Sequence, residues 1–229
     1  MNPILQKQAA YDVAYGQVTR NKVLRNTFWL LALSMIPTVL GAYVGVSLAL
    51  PMFSGFMGFI VFMAIAFGFM FAIEKTKDSA AGVFVLLGFT FFMGLMLTPL
   101  LRHTLGYGNG GQLIMTAFGG TAVVFAVMAS IATTTKRDFS GMGSWLFAGV
   151  IVLLLAGVAN IFLQMTALTI VFSLLAIGIF SAFILYDVQR IVNGGETNYI
   201  SATLAIYLDV YNIFTSLLQL LGLSAGSRE

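Results

Sequence analysis

Residues 183–222 read FILYDVQRIVNGGETNYISATLAIYLDVYNIFTSLLQLLG, and this stretch decides the fold. Asp187 and Asp209 stand in runs that are otherwise lipid-like, in a chain with only 8% charged residues. Ionisable side chains inside membrane segments are expensive; they face the bundle interior or a water-filled cavity and mark function. Between the two acids lies a polar turn, Asn193, Gly194, Gly195, Glu196, Thr197, Asn198. The stretch therefore predicts two consecutive membrane helices, each carrying one aspartate.

The composition of the whole chain agrees with that reading. Of its 229 residues 59% are hydrophobic, 24 are glycine and none is cysteine, and the mean hydropathy is +0.98. A soluble core of this size needs a far more polar surface, whereas a bilayer accepts Leu, Phe and Met on the outside. The net charge of +3 then says nothing about nucleic acid and matters only through where the basic residues fall. The absence of cysteine excludes disulfides and thiol chemistry.

Outward from the hairpin, the apolar runs predict an all-α membrane protein of seven transmembrane helices, over about 27–49, 54–73, 79–101, 112–134, 141–163, 166–189 and 198–222. The first run is uncharged over 23 residues, about 34 Å of helix against a hydrocarbon core of about 30 Å. It is too long for a signal peptide and is read as an uncleaved span. Residues 1–26 carry Lys7, Arg20, Lys22 and Arg25 with no sustained apolar face, and are read as a polar arm. Residues 27–222 form one transmembrane domain and 223–229 a short polar tail. Only Gln164 and Met165 join the fifth and sixth runs, so those helices are antiparallel neighbours. Gly41 and Gly45 have the small-xxx-small spacing that lets helices approach closely in lipid, without naming a partner. Thr197 or Asn198 is the expected N-cap of the last helix.

Counted on alternate sides of seven spans, nine of the eleven Lys and Arg residues fall with the N-terminus and two, Arg102 and Arg228, fall opposite. The positive-inside rule predicts a cytoplasmic N-terminus and, for seven full spans, an outside C-terminus. Trp29 and Trp145 then both lie near the cytoplasmic interface, as an aromatic belt places them.

No catalytic set can be assembled. Gly106, Gly108 and Gly111 match G-x-G-x-x-G, but without the βαβ context that a dinucleotide site needs. His103 is the sole histidine and has no second ligand for zinc. Ser144 has no base available within the membrane. The chain is read as a non-enzyme without a resident cofactor.

Asp187 and Asp209 therefore hold the functional reading. Asp187 lies three residues before Arg190, a spacing that also suits an ordinary interfacial ion pair. Asp209 could equally be held by Asn160, Asn212 or a threonine of another helix. Counted from the turn, the two acids differ in depth by about 9 Å, so their meeting is not settled by spacing. If they meet, both cannot ionise cheaply, and one proton is expected to be shared by the pair.

YDVQRIV in one helix followed by AIYLDVYNIFTSLLQLLG in the next resembles the signature of the Bax inhibitor-1 family, the transmembrane Bax inhibitor motif family. LLALSMIPTVLGAYVG is similar to its first helix, and VANIFLQ with NGGETNYI resembles its bacterial YccA-like branch. The resemblance implies six helices around a central seventh and a di-aspartyl unit, matched by Asp187 and Asp209, that senses pH and gates a calcium leak in a bacterial inner membrane. Arg190, Gly194, Gly195 and Asn212 are the candidate supporting residues. Some members set an arginine of the second helix against the pair; the second run here contains none, so any closed-state latch must differ.

Two functions are carried forward. In the first the protein is a passive cation leak, with Asp187 and Asp209 as gate and transient ligands for a hard cation such as Ca2+. In the second, implied by the YccA-like resemblance, it is a modulator and client of the membrane AAA protease FtsH, gripped by its N-terminal arm.

Overall fold

The last helix carries Asp209, Asn212 and Gln219 in an otherwise apolar run, and polar side chains at that depth must face other helices and not lipid. In the computed structural model it is buried: α8 (Tyr199–Gly226) runs through the middle of an all-helical bundle. The structure describes residues 3–48 and 55–226, with side chains from residue 18 onward. The surrounding helices are α1 (Pro3–Ser47), α2 (Gly55–Thr76), α3 (Ala80–Met96), α4 (Thr98–Leu105), α5 (Gly110–Thr134), α6 (Gly143–Leu163) and α7 (Thr166–Val192). A 3-10 turn, Ser140–Met142, leads into α6. Six of these helices are long and apolar enough to cross a membrane, and α3 with α4 makes a seventh crossing when taken as one bent span.

Helix α8 touches α1, α2, α3, α4, α5 and α7. Helix α6 stands outside that ring, leaning on α7 and lightly on α2, and buries only Leu146. Polar pins fix the register of α8. The Tyr207 hydroxyl shares a 2.9 Å hydrogen bond with Thr38 of α1, Tyr211 donates to the Met93 carbonyl of α3 at 3.2 Å, and Thr203 donates to the Thr27 carbonyl at 3.3 Å. In lipid the hydrophobic effect does not pull helices together, so packing and such hydrogen bonds do.

One sequence expectation changes, and another gains detail. The run 79–101 is not one straight span: the helix breaks at Leu97 and restarts as α4, bent by 40°. Pro99 explains the break, because it cannot donate the internal hydrogen bond and its ring clashes with the preceding turn, whereas the first turn of a helix tolerates it. Residues 1–26 were read as a polar arm with no sustained apolar face, and from Pro3 the backbone there is helical and continuous with the first span. Ala, Leu, Gln, Lys and Arg, frequent in that segment, are strong helix formers and need no apolar face to extend an existing helix.

The partner of the Gly41 and Gly45 face is now visible. A Cβ on Gly41 would collide with the Phe91 carbonyl oxygen of α3, one on Gly45 with the Thr98 hydroxyl, and one on Gly94 of α3 with the Thr38 carbonyl oxygen of α1. Helices α1 and α3 are in backbone contact because neither carries a side chain there. Gly94→Ala should therefore lower bundle stability by about 1–3 kcal/mol in denaturant titrations of the purified protein. Gly68→Ala, whose Cβ would meet nothing within 4 Å, should leave it unchanged or slightly raised; equal losses at both positions would contradict the packing.

Candidate functional site

The end of the bundle that carries the α2–α3, α5–α6 and α7–α8 connections is called the near end, and the opposite one the far end. Helix α7 runs toward the near end and α8 runs away from it, and that polarity brings the two aspartates together. A Cα–Cβ bond leans toward the N-terminus of its own helix. Asp187 therefore leans from α7 into the membrane interior, while Asp209 leans from α8 back toward the near end. The opposed leans narrow the depth difference, and the two carboxyls interact directly. Asp209 is 4% exposed, and its Oδ2 is buried with no donor from the protein.

The other sequence candidates are placed differently. Arg190 points to the surface, where its guanidinium meets Glu196 at 3.7 Å and its Nε–H reaches the Gly195 carbonyl at 3.4 Å. Among the described residues no ion pair within 4.0 Å joins it to Asp187. Gly194 takes the positive φ of +79° that ends α7, and Gly195 closes the turn by donating to the Arg190 carbonyl at 2.8 Å. Asn212 donates to the Leu208 carbonyl one turn back at 2.7 Å and is not joined to the pair. Asn160 caps the α6–α7 link instead, accepting from the Met165 amide and donating to Thr169, both at 2.9 Å.

Gln189, which the sequence reading passed over, and Asn198, one of its two N-cap candidates, fasten the near end. Gln189 is buried two residues beyond Asp187; its amide donates to the Arg137 carbonyl at 2.5 Å and accepts from the Phe139 N–H at 2.6 Å. It therefore holds the α5–α6 connection against α7. Asn198 is the N-cap of α8, accepting from the Ile200 and Ser201 amides. Its side-chain NH2 also donates to the Lys77 carbonyl at 3.0 Å and to Asp78 at 2.9 Å. The cap was expected; the bridge to the α2–α3 connection was not. At the same surface a hydrogen bond from Lys77 to Glu74 holds the lysine above its ordinary pKa, and the Ser140 backbone N–H holds the Asp138 carboxyl below its own.

Two cavities lie near the aspartates, and Asp187 lines one of them. One, of about 310 Å³, opens at the near end between Glu74, Asp187, Arg190, Glu196, Ser201 and Leu208. The other, of about 690 Å³, lies toward the far end among α2, α3, α6, α7 and α8, with a polar strip that includes Asn160, Thr169, Ser173, Asn212 and Gln219. Leu208 lines both, so the partition between them runs beside Asp209. Among the described residues no three His, Asp or Glu side chains converge as a metal cage. The pair offers two carboxylates where Ca2+ takes six to eight oxygens.

A family model described as inhibitor of apoptosis-promoting Bax1 matches residues 20–226. The chain belongs to the Bax inhibitor-1 family. It is 40% identical over 208 residues, 91% of this chain and 93% of the relative, to the modulator of FtsH protease YccA of Escherichia coli K12. The same figures hold for the inner membrane protein YccA of Escherichia coli O6:H1. An uncharacterized membrane protein of Vibrio cholerae is 37% identical over 89% of this chain and 90% of its own length. The chain is thus a multi-pass membrane protein of that family, as the motif around the two aspartates implied. The second-helix arginine of some Bax inhibitor-1 members has no counterpart here: α2 presents Glu74 to the near-end cavity.

Gln189→Leu should free the α5–α6 connection, because it leaves the buried-side Arg137 carbonyl and Phe139 N–H without partners at a cost of about 1–3 kcal/mol. Limited trypsin digestion checks this at Lys136 and Arg137. Cleavage should be faster than in the parent; an unchanged rate would show that the connection is held by other contacts.

Proposed function

We propose that the protein is a pH-sensitive cation leak of the bacterial inner membrane, with its N-terminus in the cytoplasm and Asp187 and Asp209 as its gate. The observation that supports it best is the facing carboxyl pair beside the partition, at Leu208, between a near-end and a far-end cavity. Two carboxyls in a poorly solvated contact share one proton, and that proton belongs to the pair. At lower pH the protonated carboxyl donates to its ionised partner and clamps α7 to α8. As pH rises the proton leaves, the like charges repel across a low dielectric, and the clamp loosens. A hard cation then replaces the proton, drawing on Asp187, Asp209, turn carbonyls and its own water. Calcium and protons compete in this scheme, and the ion is cargo, not a resident cofactor. No enzymatic step is assigned.

A second reading rests on the printed name of the 40% identical relative, a modulator of the protease FtsH. In it the N-terminal extension of α1 is the handle and the bundle is the obstacle to extraction.

Cation flux in proteoliposomes across a pH series tests the first reading. A one-proton gate changes flux by up to about tenfold per pH unit. Asp209→Asn should make flux nearly independent of pH, and Asp187→Asn should do so less completely, because Asp187 borders the near-end cavity. Retention of the parental pH profile by both variants, or the absence of any flux through the parent, would overturn the reading.

For the second reading, deletion of residues 2–17 should lengthen the protein's half-life in cells that contain FtsH and slow turnover of other membrane clients of the protease. Unchanged half-lives of both would remove it.

A further inference from the structure

Asp187 lines the near-end cavity, and so does Glu196 of the α7–α8 connection, between Arg190 near the end of α7 and Ser201 in the first turn of α8. The turn from 193 to 198 thus stands over the approach to Asp187. Its amides from 193 to 196 donate back to carbonyls of the last turn of α7, and the chain pivots on Gly194, whose φ of +79° only glycine adopts without strain. The turn is fastened from outside on two sides. On one, Asn198 donates to the Lys77 carbonyl and to Asp78 of the α2–α3 connection. On the other, Arg20 of α1 lies against Gly194, so close that a Cβ built on that glycine would sit 3.2 Å from the Arg20 Nε. A guanidinium at this place also meets the negative end of the α7 dipole.

We infer that the α7–α8 turn is a lid on the near-end cavity and that Asn198 and Arg20 are the positioning residues that hold it shut. Arg20 stands on the same continuous helix as the N-terminal extension, so displacement of that extension loosens the lid, and opening of the lid loosens the extension in return. The inference rests on the leak reading for its purpose, since it names what controls access to the proposed gate. It needs no ion movement to be tested.

The chain contains no cysteine, so a single reporter can be read cleanly. Ser201→Cys places a thiol in the near-end cavity, where the native hydroxyl is buried and without a partner. Its reaction rate with a small neutral maleimide is measured in nanodiscs, with Ser216→Cys, at a buried position lining the far-end cavity, as the second reporter. Asn198→Ser keeps a helix-capping oxygen but cannot reach Lys77 or Asp78, which separates the lid from the cap. It should raise the Ser201→Cys rate about tenfold through loss of two hydrogen bonds, and Arg20→Ala should raise it about threefold to tenfold. The Ser216→Cys rate should stay within about twofold, since a local opening leaves the buried far half closed. Unchanged Ser201→Cys rates in both variants would overturn the lid, and so would a parallel rise at both reporters, which means general loosening. A lid that opens as expected while the parent passes no cation keeps this inference and removes the leak reading.

Discussion

The structure depends on one contact: two aspartate side chains from adjacent antiparallel helices meeting inside a bundle that otherwise avoids charge. A lone carboxylate at that depth costs several kcal/mol, and two of them are tolerable only if a proton, a cation or water compensates. That constraint requires α8 to lie at the centre, because Asp209 must be shielded from lipid on all sides. It also accounts for the pins on α8. Tyr207 to Thr38, Tyr211 to Met93 and Thr203 to Thr27 fix its rotation and height; a slip of one residue would turn Asp209 away from Asp187 by about 100°.

The near end is organised around the same pair. Gln189 and Asn198 each tie a different connection to the α7–α8 hairpin, and both lie within the motif that carries the aspartates. A single segment of sequence therefore places the acids, ends α7 with Gly194, caps α8 and gathers the neighbouring loops. Helix α6 shares none of these ties and packs loosely outside, which leaves the far-end cavity bordered by a helix that is weakly held. Stability in this protein is concentrated on the α1–α3 glycine contact and the α7–α8 hairpin.

Much of this was legible in the sequence. Hydropathy runs of about 20 residues located the helices, since a bilayer fixes their length, and the two aspartates were conspicuous because charge is so scarce. The antiparallel α6–α7 pair followed from a two-residue link. What was not legible depended on three-dimensional direction. Spacing along the chain set Asp187 and Asp209 at different depths, and their contact depends on how the two antiparallel helices sit against each other, with the opposed lean of the side chains helping to close the gap. Pro99 was visible in its run, but hydropathy alone does not tell a bent span from a straight one. Gly41 announced a close approach without naming α3. Gln189 looked like an ordinary polar residue near a turn and Asn198 like a cap alone, because the backbone groups they also satisfy lie about 50 and 120 residues away.

The central claim is that the two carboxyls act as one unit with one shared proton. Infrared difference spectroscopy across a pH series, on protein carrying isotope-labelled aspartate, tests this most directly. The account predicts a single protonated-carboxyl band that titrates as one step and disappears when either Asp187 or Asp209 is replaced by Asn. Absence of that band, or two bands that titrate independently and survive replacement of the other residue, would contradict it.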